Sequence, residues 1–320
     1  MTLLLLAFEQ ESTVGAAISG ALGQTYENLE IGISDDASTD GTFAAMQAAV
    51  AGYIGPHRLI LNRNPVNLGI GAHLNRMVGL SRGELLFVAA GDDVSMPQRC
   101  SRVVEAWIAA ARCPDLIATA LIDMDEQGAL HARISPTDLF SYRNAADWLA
   151  CPPYVVGAAQ AWTRRLYDRF GPLPDAAMAE DMLMVFRAIL SGGAITLAEP
   201  LVQYRRGGIS RRRRNLHARD VAQRLLKNNR HALVELPQLL LDARLAGQLE
   251  AVESALLRRL EREVYLRDVF AARSLQVQWQ AFVTARRVPI ATRLRLWMYA
   301  TWPGLLAPFF ALKRWFARSV

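Results

Sequence analysis

The chain has 320 residues, 52% of them hydrophobic, with a formal net charge of +6. That length supports one large core and a smaller appendage, and excludes both a disordered chain and a small stapled scaffold. Cys100, Cys113 and Cys151 are scattered at spacings that fit neither a disulfide framework nor a zinc site, so inert thiols in a reducing compartment are expected. The charge is divided unevenly: residues 1–200 carry a net of −9 and residues 201–320 a net of +15, which implies different neighbours for the two parts.

The first segment, Thr2 to Phe8, reads as a strand with no basic leader and no small-residue cleavage site, so no signal peptide and a cytoplasmic location are expected. A helix from about Thr13 to Leu22, a strand Glu30 to Ser34 and a helix Phe43 to Val50 follow. Then come a strand Arg58 to Leu61, a turn Asn62 to Pro65, a helix near Gly71 to Leu80 and a strand Leu85 to Ala89. This alternation predicts an α/β fold: a Rossmann-like, mostly parallel sheet with helices on both faces. Ligands of such folds sit beyond the carboxyl ends of the strands. Apart from Arg211 to Arg214 the chain has no low-complexity tract, and it shows no internal repeat.

Acidic pairs fall at these strand ends. Asp92 and Asp93 close the apolar run Leu85-Leu86-Phe87-Val88-Ala89, and Pro97 stops a helix from starting at once. Such a pair serves either as a solvated turn or as a hard-oxygen site for a divalent cation that holds phosphates. Asp35 and Asp36 end the second strand, just before a cluster whose Thr39 or Asp40 suits a helix cap. A carboxylate at that strand end can accept hydrogen bonds from a base or ribose. Further on, Glu180 and Asp181 open a helix Met182 to Leu190 after the turn Gly171 to Pro174. Acids there complement the helix dipole, and one of them is also suited to take a proton from an attacking hydroxyl. A strand-like stretch, Ala194 to Val202, leads to Tyr204-Arg205-Arg206.

The ordered set Gln24 to Glu30, Asp35 to Thr42, Asn67-Leu68-Gly69, Asn75, Gly83-Glu84, Gly91-Asp92-Asp93, Pro97, Glu180-Asp181 and Tyr204-Arg205 resembles the family 2 glycosyltransferases of GT-A fold. The resemblance spans roughly residues 1–210. It implies a catalytic domain over that range, with a nucleotide-sugar half at about 1–100 and an acceptor half at about 101–210. It also implies the roles of individual residues. Asp93 would hold a divalent metal, Mg or Mn, and Asp92 would contact the ribose or help hold the ion. Asp36 would face the base, with Ala7, Phe8 and Glu9 completing that pocket and Asn67 and Gly69 on the nucleotide-side loop. Glu9 stands where relatives often carry asparagine. Asp181 would be the general base, with Glu180 orienting it or touching the acceptor. Arg205 or Arg206 would meet the diphosphate, although glycines follow where many relatives carry a histidine. The implied reaction is transfer from a UDP- or dTDP-sugar, with inversion, to a hydroxyl of a glycan or lipid-linked acceptor in bacterial cell-surface polysaccharide synthesis.

Two alternatives stand beside this reading. A sugar nucleotidyltransferase should carry a Gly-rich, basic loop after the first strand, where Glu9-Gln10-Glu11-Ser12 stands instead. A non-catalytic, membrane-associated scaffold would not need Asp36, Asp92, Asp93 and Asp181 together.

Residues 211–320 form a basic helical extension, with helices predicted at about Ala218 to Arg244 and Leu249 to Ala285. The arginine run 211–214 lacks interleaved aromatics, which argues against nucleic acid. From Ile290 to Val320, aromatic and aliphatic residues are flanked by arginines and a lysine. The uncharged run Leu296 to Leu312 is short for a membrane span and contains Pro303 and Pro308. It therefore reads as an interfacial membrane segment, on the inner face of the plasma membrane, or as a surface packed on protein. The sequence leaves assembly into an oligomer open.

Overall fold

The computed structural model describes residues 1–205 and 218–302. It divides into two compact units, Met1–Arg211 with Asp242–Leu249, and Arg212–Leu241 with Glu250–Val320.

In the first unit, Thr2–Ala7 (β1), Glu30–Asp35 (β2), Arg58–Arg63 (β3) and Leu85–Ala90 (β4) pair in parallel in the order β3-β2-β1-β4. The continuous apolar runs of β1 and β4 are buried on both faces, as inner parallel strands require, whereas β3 at the edge is largely open to solvent. The helices Val14–Leu22 (α1) and Thr42–Val50 (α2) cover one face, where Val14, Ile18 and Met46 join Leu3, Leu5, Ile31, Ile33 and Phe87 in the main core. The helix Gly69–Leu80 (α3) covers the other face, with Met77 lying over Gly32 beside Leu4.

The sheet is parallel through these four strands and mixed beyond them. Gln160–Thr163 (β8) runs antiparallel to β4, Leu116–Met124 (β6) antiparallel to β8, and Ala194–Arg205 (β9) parallel to β6. Val94–Ser95 (β5) pairs with the end of β9, and Leu130–Ile134 (β7) forms a hairpin with β6. Helices Arg99–Ala109 (α4), Ala145–Ala150 (α5), Arg164–Phe170 (α6) and Glu180–Ile189 (α7) complete the unit.

One buried ion pair anchors α7. Arg187 Nε lies 2.8 Å from Asp242 Oδ2 with both side chains fully excluded from water, and Arg187 also donates to the carbonyls of Gly171 and Pro172. Asp242 lies near the end of the long helix Ala218–Leu245 (α8).

The second unit is helical. Leu249–Ala271 (α9), Leu275–Thr284 (α10) and Ile290–Thr301 (α11) pack around Tyr265, Leu266, Val269, Val288 and Leu296. Asn229 of α8 donates 2.7 Å to the Glu263 carbonyl, and the Tyr265 hydroxyl donates 2.9 Å to the Arg293 carbonyl. The single helix expected over 249–285 is two helices, because Ser274 Oγ accepts from the Val277 amide and caps a new start. Among the described residues no helix is long and apolar enough to cross a membrane. Arg206, the run Arg211–Arg214 and the tail 303–320 lie outside the described residues.

The Arg187–Asp242 pair yields a prediction. Arg187→Met removes the buried guanidinium that faces the Asp242 carboxylate and lowers unfolding stability by about 3–5 kcal/mol in urea titration. Adding Asp242→Leu returns part of that loss, and a purely steric role for Arg187 would return none.

Candidate functional site

The carboxyl ends of β1, β2 and β4 share one edge of the sheet. Their loops are stitched together by main-chain contacts: the Asp36 amide donates 3.0 Å to Ala7 O, and the Gly91 amide 2.9 Å to Leu6 O. Gly91 permits this approach, since a Cβ there would lie 2.6 Å from that of Ala7 and 2.5 Å from Gln10 Oε1.

Asp92 and Asp93 follow directly. Asp93 is buried, and its Oδ1 accepts 2.8 Å from the Arg205 amide. Burial, then the adjacent Asp92 charge, push its carboxyl from 3.8 up to about 8, against the opposing pull of the Arg205 amide and of Arg99 and Arg205. Burial also raises Asp92, opposed by its own main-chain hydrogen bond, by a hydrogen bond from Gln10 and by the charge of Arg205. Two adjacent acids whose ionisation is opposed by burial gain stability from a cation that approaches them.

Beneath the pair lies Arg99, fully buried. It donates 2.7 Å to Val88 O, 3.3 Å to Gln160 O and 2.9 Å to Ser95 Oγ, so one guanidinium joins β4, β8 and β5. Desolvation lowers its pKa to about 10, opposed by Cys100 and Asp93. Arg99 lies outside the motifs legible in the sequence. The available signal was an arginine in the buried stripe of α4, alongside Cys100, Val103, Val104 and Trp107.

Asp36 organises the β3–α3 loop. Its Oδ1 accepts from Asn64 Nδ2 at 2.8 Å and the Leu68 amide at 2.9 Å, and its Oδ2 from the Gly69 amide at 2.9 Å. It therefore satisfies the first free amides of α3 from a distant strand. Behind it Asn62 bridges Ser34 and Asn64, and His73 Nε2 lies 2.6 Å from Ser34 Oγ. Burial holds His73 below its ordinary value, opposed by Asp36 and Asp35. This network is invisible in the sequence, because its members are spread over 39 positions and meet only through the sheet. Asn67 Oδ1 also accepts from the Gly69 amide, at 3.1 Å, and Gly69 has φ +76°.

After β1, Phe8 is left 46% exposed, an aromatic ring at the strand's end. Glu9 has φ +54°, a left-handed conformation that asparagine adopts more readily than glutamate. Its carboxylate accepts from the Thr39 amide at 2.9 Å and the Thr39 hydroxyl at 2.8 Å, which fixes the β2–α2 loop. Asp40 is not the helix cap: Gly41 occupies that position, while Asp40 Oδ1 accepts from the Thr42 amide.

The last acids reach the same edge through β8. The β4–β8 register carries the short 3₁₀ turn Gly157–Ala159 alongside the end of β4. Gly157 in turn abuts α7, where an added Cβ would lie 2.6 Å from Glu180 Oε1 and 3.4 Å from Asp181 Cβ. Asp181 Oδ1 accepts from the Met182 amide at 2.8 Å, and Gln160 donates 3.4 Å to Asp181 O. Arg205 is used differently from the expected diphosphate contact. Its Nε donates to Asp92 O, and one terminal nitrogen donates to the carbonyls of Asp125 and Glu126, each at 3.1 Å.

Among the described residues no group of three or more His, Cys, Asp or Glu side chains is disposed to cage a metal. Adjacent Asp92 and Asp93 nonetheless fit Mg or Mn of the kind held by one or two carboxylates plus substrate phosphates.

Two predictions follow from this geometry. Asp36→Ala leaves the Leu68 amide and Asn64 without their carboxylate partner and the Gly69 amide with Asn67 alone, costs about 2 kcal/mol and speeds hydrogen exchange over residues 64–69. Asp93→Asn stabilises the ligand-free protein. The folded carboxyl titrates near 8 and the unfolded one near 3.8, so its ionisation penalty is absent below pH 4 and complete above pH 8. The melting-temperature gain of Asp93→Asn should therefore grow across that window, to about 3 °C or more, and a gain independent of pH would contradict the assignment.

The sequence profile described as Glycosyl transferase family 2 matches residues 2–140. The glycosyltransferase-family protein EpsE of Bacillus subtilis (strain 168) is 31% identical over 137 residues, 43% of this chain and 48% of that one. The succinoglycan biosynthesis protein ExoO of Rhizobium meliloti (strain 1021) is 31% identical over 105 residues, 33% of this chain and 29% of that one. The aligned part thus spans half or less of these relatives. The fold is similar to that of S. aureus TarS 1-349 solved with UDP-GlcNAc, at TM-score 0.57 and 15% identity over 93% of this chain and 86% of that one. It is also similar to the mannosyltransferase PcManGT of Pyrobaculum calidifontis solved with GDP-Man and Mn2+, at TM-score 0.52 and 16% identity over 96% and 86%. With its acidic strand ends on one sheet edge, the chain has a GT-A fold and is similar over residues 2–140 to the family 2 glycosyltransferases.

Proposed function

We propose that the protein transfers a sugar from a nucleoside-diphosphate donor to an acceptor hydroxyl with inversion, in bacterial surface-polysaccharide synthesis. What supports this reading is that the turn bearing Gly157 lies alongside the end of β4, which Asp92 and Asp93 follow, and abuts Glu180 and Asp181 at the start of α7. Relatives named for glycosyl transfer and succinoglycan synthesis support it, as do structural neighbours solved with UDP-GlcNAc and GDP-Man.

In this reading Phe8 offers a ring face to the base, and Asp36 fixes the loop carrying Asn67 and Gly69 around the nucleoside. Asp93, with Asp92, would hold a divalent Mg or Mn, which when bound would neutralise charge on the departing diphosphate. Arg99 keeps the main chain beneath the pair in place, so the donor side is organised before the substrate arrives. The acceptor oxygen forms its bond to the anomeric carbon as the bond to the diphosphate breaks, and the acceptor's proton passes to the Asp181 carboxylate. Glu180, at the first turn of α7, would orient that base or touch the acceptor. A single displacement of this kind inverts the anomeric centre and needs no covalent enzyme intermediate.

A UDP- or dTDP-sugar is the donor class and a glycan or lipid-linked hydroxyl the acceptor class. The location is cytoplasmic, peripheral on the inner face of the plasma membrane.

A pair of variants tests the division of labour. Asp181→Asn should keep Mn-dependent thermal stabilisation by a UDP-sugar while transfer falls by about 10²–10⁴-fold. Asp93→Asn should lose that stabilisation, and equal loss of both properties in Asp181→Asn would remove the base assignment.

A further inference from the structure

The second unit leaves two apolar stripes uncovered. On α10, Leu275, Trp279 and Val283 recur at four-residue spacing, and on α11 Ile290, Leu294, Met298 and Trp302 do the same. These seven side chains are 41–63% exposed, although the opposite faces of both helices are packed: Gln278 on α10 and Leu296 on α11 are buried. The two helices are fastened to each other by Arg293, whose guanidinium lies 4.9 Å from the Phe282 ring centroid and donates 2.6 Å to Phe282 O. Both stripes therefore belong to one body and face away from its core.

The charge around them has a single sign. From Arg273 to Trp302 the chain carries Arg273, Arg286, Arg287, Arg293 and Arg295 and no acidic residue. Arg287 is paired with Glu261 of α9 at 3.9 Å, and Arg273, Arg286, Arg293 and Arg295 complete the positive surround; rows of large exposed apolar side chains mark an interaction surface in a way that scattered single residues do not. A second copy of this face would set like charges against like. An anionic lipid surface answers both features, because headgroups meet the arginines while tryptophan and aliphatic side chains enter the acyl boundary.

We propose that α10 and α11 form an interfacial docking surface for an anionic lipid bilayer, lying on it rather than crossing it. The inference extends the predicted membrane segment at 290–320 back to Leu275. It rests on the second unit alone, and so stands or falls separately from the transfer reaction.

The test is sedimentation of the full chain with vesicles of phosphatidylcholine alone or mixed with phosphatidylglycerol. The wild-type protein should pellet roughly tenfold more with the mixed vesicles, and less as salt screens the arginines. Leu275→Ser with Ile290→Ser, the variant chosen because both side chains lie outside the packed core, should lose pelleting while its melting temperature and UDP-sugar stabilisation stay at wild-type values. Absence of wild-type pelleting overturns the proposal even if the variant fails to fold, and so does equal pelleting with both vesicle types. A wild-type dimer in light scattering that the double variant dissociates would assign the face to a second copy instead. Loss of donor binding in Asp93→Asn has no bearing on any of these outcomes.

Discussion

A guanidinium sealed beneath the sheet's edge is the constraint on which the site depends. Arg99 has no exposure to solvent to offset its desolvation, so its hydrogen bonds must be met by protein. Its two terminal nitrogens meet them at Val88, Gln160 and Ser95, which belong to three strands that no local sequence preference would join, while Nε stays buried without a hydrogen bond. The end of β4 is thereby fixed against β8 and β5. The two aspartates that follow inherit that position, and the Arg99 charge tempers the repulsion between them.

The same economy recurs on the nucleotide side. Asp36 uses its carboxylate to terminate α3 from a neighbouring strand, and Glu9 uses its own to hold the β2–α2 loop. Both were expected to address a ligand. In the structure the hydrogen bonds each accepts order a loop at the carboxyl edge of the sheet. Arg205 goes further in this direction: its guanidinium closes the ends of β4 and of the β6–β7 hairpin by donating to main-chain carbonyls. A flexible phosphate-seeking arm would need those donors uncommitted.

The two units differ in how they use charge. The first carries its acids at strand ends, partly desolvated and arranged around internal arginines. The second sets arginines around helices whose cores are small, and α10 and α11 leave apolar rows outward. Neither arrangement follows from net charge alone, since +6 over the whole chain conceals opposite balances.

The alternating apolar runs determined the parallel half of the sheet, because buried strands need continuous apolar side chains and the helices between them show a different period. The acidic strand ends were legible as an ordered set of acids after apolar strands, although any one pair also suits a solvated turn. The chain between residues 101 and 180 was not: β6, β8, α5 and α6 are short or fully buried, and periodicity cannot separate such segments. The break at Ser274 was readable in principle, as a serine followed by a helical pattern, but leucine spacing on both sides masked it. Tertiary structure alone decided where the acids lie. That Glu180 and Asp181 approach the turn alongside the end of β4 depends on the antiparallel pairing of β8 with β4, made across more than seventy residues of chain, and on the close approach at Gly157. Likewise only folding could show that Asp36 and Arg205 have hydrogen-bond partners in the main chain, because a sequence records which donors and acceptors exist and the packed backbone determines which remain for a substrate.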